Sequence, residues 1–142
     1  MEVKTYDPKK LVVSFGGIPI TGFADGTFIQ ITTNTEAFTK KIGADGEVGR
    51  SRGNDDTSEV TVTLIQTSQS NTYLTGVHTT DKLTNAGALP LMITDLLGKT
   101  VFMWDSAWIK KLPDFEAGKE ISDRAWVFDT GQPVVAVIGG DY

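Results

Sequence analysis

The run Gly43–Gln66, GADGEVGRSRGNDDTSEVTVTLIQ, joins two opposite kinds of chain. As far as Ser58 it is rich in glycine and charge and poor in apolar residues. From Glu59 onward it alternates, with Val60, Val62 and Leu64 on one side and Glu59, Thr61 and Thr63 on the other. Such alternation is the signature of a half-buried strand. The polar part has too little apolar surface to offset its own ordering entropy. In a domain this small such an arm should either stay flexible or be ordered by another molecule, which points to an assembly protein rather than an enzyme.

Upstream of the arm, Leu11–Phe15 reads as a strand, Gly16-Gly17 as a tight hairpin turn, and Ile18–Ile20 as the return strand. Pro19 lacks a backbone donor, which places that strand at an edge or makes it very short. Residues 1–10 read as a polar arm broken at Asp7-Pro8. Thr27–Thr35 is rich in β-branched residues and reads as a strand, which Ala37–Ile42 continues.

Downstream, Ser68–Leu83 is the best helix candidate, with Tyr73, Leu74, Val77 and His78 at helical spacing and Ser68 or Ser70 as cap. Leu89–Asp95, Thr100–Lys111, Ser122–Thr130 and Pro133–Ile138 read as strands. In Thr100–Lys111 both parities carry large residues, so a bulge is expected near Asp105-Ser106. Trp104 and Trp126 are expected in the core, with Trp108 open. About eight or nine short strands and one helix make a mainly β fold, a β-sandwich or barrel with one flanking α-helix and an extended loop over 43–58.

The 142 residues read as a single domain, 1–142, able to bury roughly two-thirds of the unfolded surface. Fifteen glycines against five prolines favour many tight turns. The net charge of −5 argues against a protein that grips nucleic acid by neutralising phosphate, although an acidic wall would keep nucleic acid from sticking. With no cysteine, disulfides, thiolate zinc sites and cysteine nucleophiles are excluded. The opening MEVKTYDPKK lacks the apolar stretch of a secretory leader, and no apolar run approaches the ~18 residues of a membrane span.

Catalytic signatures fail on composition and spacing. His78 is the only histidine and has no apparent partners for a triad or metal site. Asn54-Asp55-Asp56 lacks the register and closing glutamate of a calcium loop, so it reads as a solvated turn. The glycines of 43–53 match no phosphate-binding motif. Among 18 acids nothing selects a catalytic pair. Arg50 and Arg52 lie two apart, on one face of an extended leg, and suit bidentate pairing with carboxylates of a neighbouring subunit.

The run DGEVGRSRGNDDTSEVTVTLIQTSQSNTYL, preceded by the Thr-rich strand ending Thr35-Glu36-Ala37-Phe38, resembles the small tail tube proteins of contractile-tailed bacteriophages. The likeness covers most of the chain, about Tyr6–Gly140, and follows the same order of hairpin, arm, strand, helix and C-terminal strands. It implies a β-sandwich with a flanking helix, shared with the inner tubes of type VI secretion and pyocin-like particles. It further implies hexameric rings stacked into an inner tube, a DNA conduit inside a contractile sheath, with no cofactor.

The partners so implied are other copies of the chain, the sheath, baseplate, tape measure and tail terminator proteins, and DNA passing non-specifically. The location so implied is the virion tail, assembled in the host cytoplasm. Inter-subunit contacts are expected at Asp45, Glu47, Arg50, Arg52, Asn54, Asp55 and Asp56, and a lumen-facing surface at Gln30, Thr32, Thr61 and Thr63.

Other readings remain open on the residues alone. The inner tube of a contractile injection particle without DNA is one. A monomeric β-sandwich ligand-binding module is another, and it predicts an exposed aromatic face of Phe102, Trp104 and Trp108. A carboxylate hydrolase ranks last.

Overall fold

Val101–Lys111 forms one strand of 11 residues, and the whole sheet is organised about it. The computed structural model describes residues 2–141. In chain order the strands are β1 (Leu11–Phe15), β2 (Ile18–Ile20), β3 (Ile29–Thr33), β4 (Phe38–Ile42), β5 (Val48–Arg52), β6 (Ser58–Ile65), β7 (Leu89–Asp95), β8 (Val101–Lys111), β9 (Asp123–Thr130) and β10 (Pro133–Val137). One α-helix, α1 (Ser70–Thr84), lies between β6 and β7, and a 3-10 turn at Pro8–Lys10 precedes β1.

Eight strands form one antiparallel sheet in the order β2-β1-β7-β8-β9-β6-β3, with β10 also on β8. β8 has β7 along one edge from Val101 to Ala107. Its other edge takes β10 over Val101–Trp104 and β9 over Ala107–Lys111. Because β9 and β10 occupy one edge in succession, the sheet divides there into two layers.

Phe15 of β1 and Phe128 of β9 meet edge to face with ring centroids 5.0 Å apart. In a flat sheet the three strand spacings from β1 to β9 would separate them by ~14 Å. The sheet therefore folds back on itself as a sandwich. The inner residues are those the alternation selects: Val13, Phe15, Val60, Val62, Leu64, Leu91, Trp104, Trp126 and Phe128 are all buried. The Gly22–Ala24 segment crosses from β2 to β6, where Gly22 C=O accepts from Ile65 N–H at 2.8 Å and Ala24 N–H donates to Thr63 C=O at 3.0 Å.

The bulge falls where expected. Leu89 pairs with Ala107 and Leu91 with Trp104, so Asp105 and Ser106 together oppose Pro90. The extra residue changes parity: Phe102 and Trp104 point inward before it, Ala107 and Ile109 after it. Trp108, which simple alternation groups with Trp104, is turned outward and left 37% exposed. At the other hairpin, Gly16 and Gly17 both have positive φ, 63° and 81°, as a type I′ turn requires. Pro19 indeed lies on an edge strand, since β2 pairs only with β1.

α1 begins two residues later than the spacing of apolar residues suggests, because Ser68 is used outside the helix. Its hydroxyl donates to Thr21 C=O at 2.6 Å and accepts from Ser70 N–H at 3.2 Å. Leu74 is buried, and Tyr73 donates its hydroxyl to Phe15 C=O at 2.8 Å; burial raises the Tyr73 pKa. Asn85 ends the helix at φ 59°, a left-handed position that Asn tolerates. The Thr27–Thr35 strand is shorter than expected, Ile29–Thr33, and the described residues form ten strands rather than eight or nine.

Candidate functional site

β4 and β5 pair with each other, not with the main sheet, in register Phe38↔Arg52, Lys40↔Arg50 and Ile42↔Val48. The arm is thus a hairpin that starts before Gly43, and the 43–58 segment supplies its tip, second strand and exit. Every residue of both strands is exposed. Directly opposed residues share a face, so Phe38, Ile42 and Val48 lie beside Lys40, Arg50 and Arg52. Arg50 and Arg52 do share a face, as their spacing requires. The Arg50 guanidinium sits over the Phe38 ring, 4.1 Å from its centroid.

The tip closes through Gly43 N–H to Glu47 C=O at 2.7 Å, with Gly46 at φ 88°. Asp45 accepts from Glu47 N–H at 3.1 Å and so shapes the turn. The base is held from several directions. Gly53 N–H donates to Ala37 C=O at 2.8 Å, and the Asn34 amide donates to Thr57 Oγ1 at 2.9 Å. The Asp55 carboxylate accepts from the Thr57 hydroxyl and from Thr57 N–H. Those bonds, the hydroxyl first, hold the Asp55 pKa below the ordinary 3.8. Gln132, in the β9–β10 turn, accepts from Asp56 N–H and donates to Asn54 C=O, each at 3.0 Å.

The second surface is the outward face of β3, β6, β9 and the end of β8. Gln30 opposes Thr61, and Thr32 opposes Glu59. Thr61 opposes Val127, Thr63 opposes Ala125, and Glu59 opposes Asp129. Trp108 opposes Asp129. Gln30, Thr32, Thr61 and Thr63 therefore share one face, with Val60, Val62 and Leu64 buried behind it. Besides Glu59, this face carries Asp129 and Lys110, which the alternation of β6 alone does not reveal. Lys110 pairs with Glu59 at 3.1 Å; that hydrogen bond chiefly, with Asp129 adding, raises the Lys110 pKa. Glu59 was legible from its parity, but its partner lies across two strand junctions.

No enzyme-like centre assembles among the described residues. No group of three or more His, Cys, Asp or Glu there could hold a metal ion. The aromatic platform expected of a ligand-binding module does not form: Phe102 and Trp104 stack at 5.5 Å but are 8% and 0% exposed, leaving only Trp108 on the surface. A cleft of about 720 Å³ lies between the arm base and β10, and one of about 440 Å³ lies between α1 and Leu112–Phe115. Neither gathers convergent catalytic groups.

Comparison with known proteins agrees with this geometry. Residues 14–139 match the family model of the bacteriophage PhiTE tail tube protein. The chain is similar to structural protein ORF10 of Pseudomonas phage KPP10, 28% identical over 131 residues that span 87% of this chain and 76% of the relative. Among solved structures, the fold resembles the sheath/tube terminator of the extracellular contractile injection system PVC, with TM-score 0.63, 14% identity, and 93% and 96% of the two chains covered. It also resembles the tube-terminating cap of the anti-feeding prophage, with TM-score 0.60, 12% identity, and coverage of 94% and 93%. The PVC sheath-tube complex gives TM-score 0.58 at 14% identity, again with 94% and 93% covered. A match over nearly the whole sandwich, arm included, settles the relationship: the chain belongs to the bacteriophage PhiTE tail tube protein family, whose members build the inner tube of the tail.

Proposed function

We propose that this chain closes into rings, six copies to a ring, which stack into the tail tube and conduct DNA. The wall of the channel is the polar outward face of β3, β6, β9 and the end of β8. Two strand edges without a partner among the described residues bound that face: the outer edge of β3, and Trp108–Lys111 of β8 beyond its pairing with β7. Unpaired edges invite pairing with another chain. Joining the β3 edge of one copy to the β8 edge of the next continues the sheet around a ring and removes both edges.

The observation that carries the reading is the arm: a fully exposed hairpin held at its base yet paired with no other strand of its own subunit. Its exposed Asp45, Glu47, Arg50, Arg52, Asn54 and Asp56 meet neighbouring copies, while Asp55 acts within the subunit by fixing the base. The sheath surrounds the tube, the baseplate and terminator bound its ends, and the tape measure protein sets its length. Assembly takes place in the host cytoplasm and the product resides in the virion tail. The protein needs no cofactor and performs no catalysis.

The test is electron microscopy of the purified chain beside a variant in which Phe38–Arg52 is replaced by Asn-Gly. The Ala37–Gly53 hydrogen bond shows that the cut ends already lie close together. Tubes from the full chain and folded, unassembled protein from the variant support the reading. Normal tubes from the variant would sink it. The inner tube of an injection particle is the second reading, favoured by the likeness to contractile injection structures. Nuclease-protected DNA inside purified particles decides for the first.

A further inference from the structure

The arm base and the segment Leu112–Asp123 lie at opposite ends of β9. Gln132, just past the end of β9, grips Asn54 and Asp56. Ser122, just before its start, exchanges bonds with Gln66, donating N–H to Gln66 Oε1 and accepting Gln66 N–H, each at 3.0 Å. The eight residues of β9 span ~26 Å of extended chain. A contact between opposite ends of two copies is heterologous, and repeated it builds a filament.

The two ends match in chemistry. The arm presents exposed Phe38, Ile42 and Val48 among cations, in a chain whose net charge is −5. The 112–123 segment presents Phe115 at 83% and Ile121 at 62% exposure among Asp114, Glu116, Glu120 and Asp123, with Lys119 its only cation. Apolar residues so exposed, rimmed by charge, mark an interaction surface.

A buried cation lies under that segment. Arg124 is 8% exposed, and its guanidinium donates to the Ser122 hydroxyl and to the carbonyls of Asp123 and Glu116, all neutral acceptors. Among the described residues no carboxylate pairs with it. It lines the cleft of about 440 Å³ beside Leu112 and Phe115. The arm tip carries Asp45 and Glu47.

We propose that the arm of one copy seats on the 112–123 segment of a copy in the adjacent ring. The arm cations face the acidic residues of the segment, the apolar rows meet, and a tip carboxylate reaches Arg124. This rests on the tube reading above and names the surface that receives the arm.

The chain has no cysteine, so pairs can be introduced cleanly. Ile42→Cys and Phe115→Cys are made as separate variants and mixed. Under mild oxidation the mixed tubes should yield a disulfide-linked dimer that neither variant gives alone. Leu83→Cys, exposed on α1, mixed with Ile42→Cys is the control and should give none. Independently, Arg50→Glu with Arg52→Glu should abolish tubes, and adding Asp114→Lys with Glu116→Lys should restore them. Mixed variants that form tubes without the specific dimer, or a charge swap that restores nothing, would overturn this docking surface while leaving the tube reading intact. An unmodified chain that forms no tubes would overturn both.

Discussion

The side chain of Gln132 accepts the Asp56 N–H at 3.0 Å, and its amide donates to Asn54 C=O at the same distance. One residue in the turn between two core strands thus fixes how the arm leaves the sandwich. Gln132→Ala removes both bonds. Since Gln132 is exposed, the monomer should lose only about 0.5–1.5 kcal/mol. The arm loses its fixed direction, so tube formation should fall far more than the melting temperature. Denaturation of the monomer and electron microscopy of the same preparation check the two halves.

Asp55 gives the arm base a pH dependence. Its folded pKa lies below 3.8 because its charged form accepts from Thr57. A depressed carboxylate contributes stability that is present above its unfolded pKa and lost as pH falls through the folded one. Tubes or monomers moved from pH 5 to below 3.8 should therefore show lower protection against amide exchange, relative to the intrinsic rate at each pH, at Thr57 and along the hairpin. Asp55→Asn should flatten that change. An unaltered acid response in the variant would assign it to other carboxylates.

Much of this architecture is legible in the sequence. Alternation in Glu59–Gln66 locates β6 and its buried face, and crowding on both parities of Thr100–Lys111 locates the bulge. Each is a local signal, carried by neighbouring residues. What escaped is non-local. The 5.0 Å approach of Phe15 to Phe128 depends on where β8 hands its edge from β10 to β9, which no stretch of sequence encodes by itself. The same is true of Gln132, which meets Asp56 across 76 residues. The composition of the arm shows that it cannot bury itself. Its pairing as a hairpin was hidden because Phe38–Ile42 and Val48–Arg52 are exposed on both faces, so burial imposes no pattern.

Asn71 ties the helix to the sheet at the far end from the arm. Its Oδ1 accepts from Trp126 Nε1 at 2.8 Å and its amide donates to Ile65 C=O at 3.1 Å. Asn71→Ala leaves a buried indole N–H without a partner, a loss of about 1–3 kcal/mol. Chemical denaturation should show this as a lower midpoint with an unchanged slope. Tubes assembled below the melting temperature should keep their diameter, because neither the arm nor the outward sheet face is touched.

Cysteine placed at Thr61 tests the channel wall directly. Thr61 lies in the middle of the outward face, opposite both Gln30 and Val127, and is only partly exposed. Thr61→Cys should change monomer stability by no more than about 0.5 kcal/mol. In the free monomer a small maleimide and one carrying a large polymer should both label it. In assembled tubes the small reagent should still enter, while the bulky one is excluded by the channel. Phe115→Cys, at the end of the subunit, should lose reactivity to both reagents on assembly if adjacent rings cover it. Equal labelling of Thr61→Cys by the bulky reagent in tubes would put that face on the outside and require the opposite layer, with Met92 and Met103 paired on it, to line the channel.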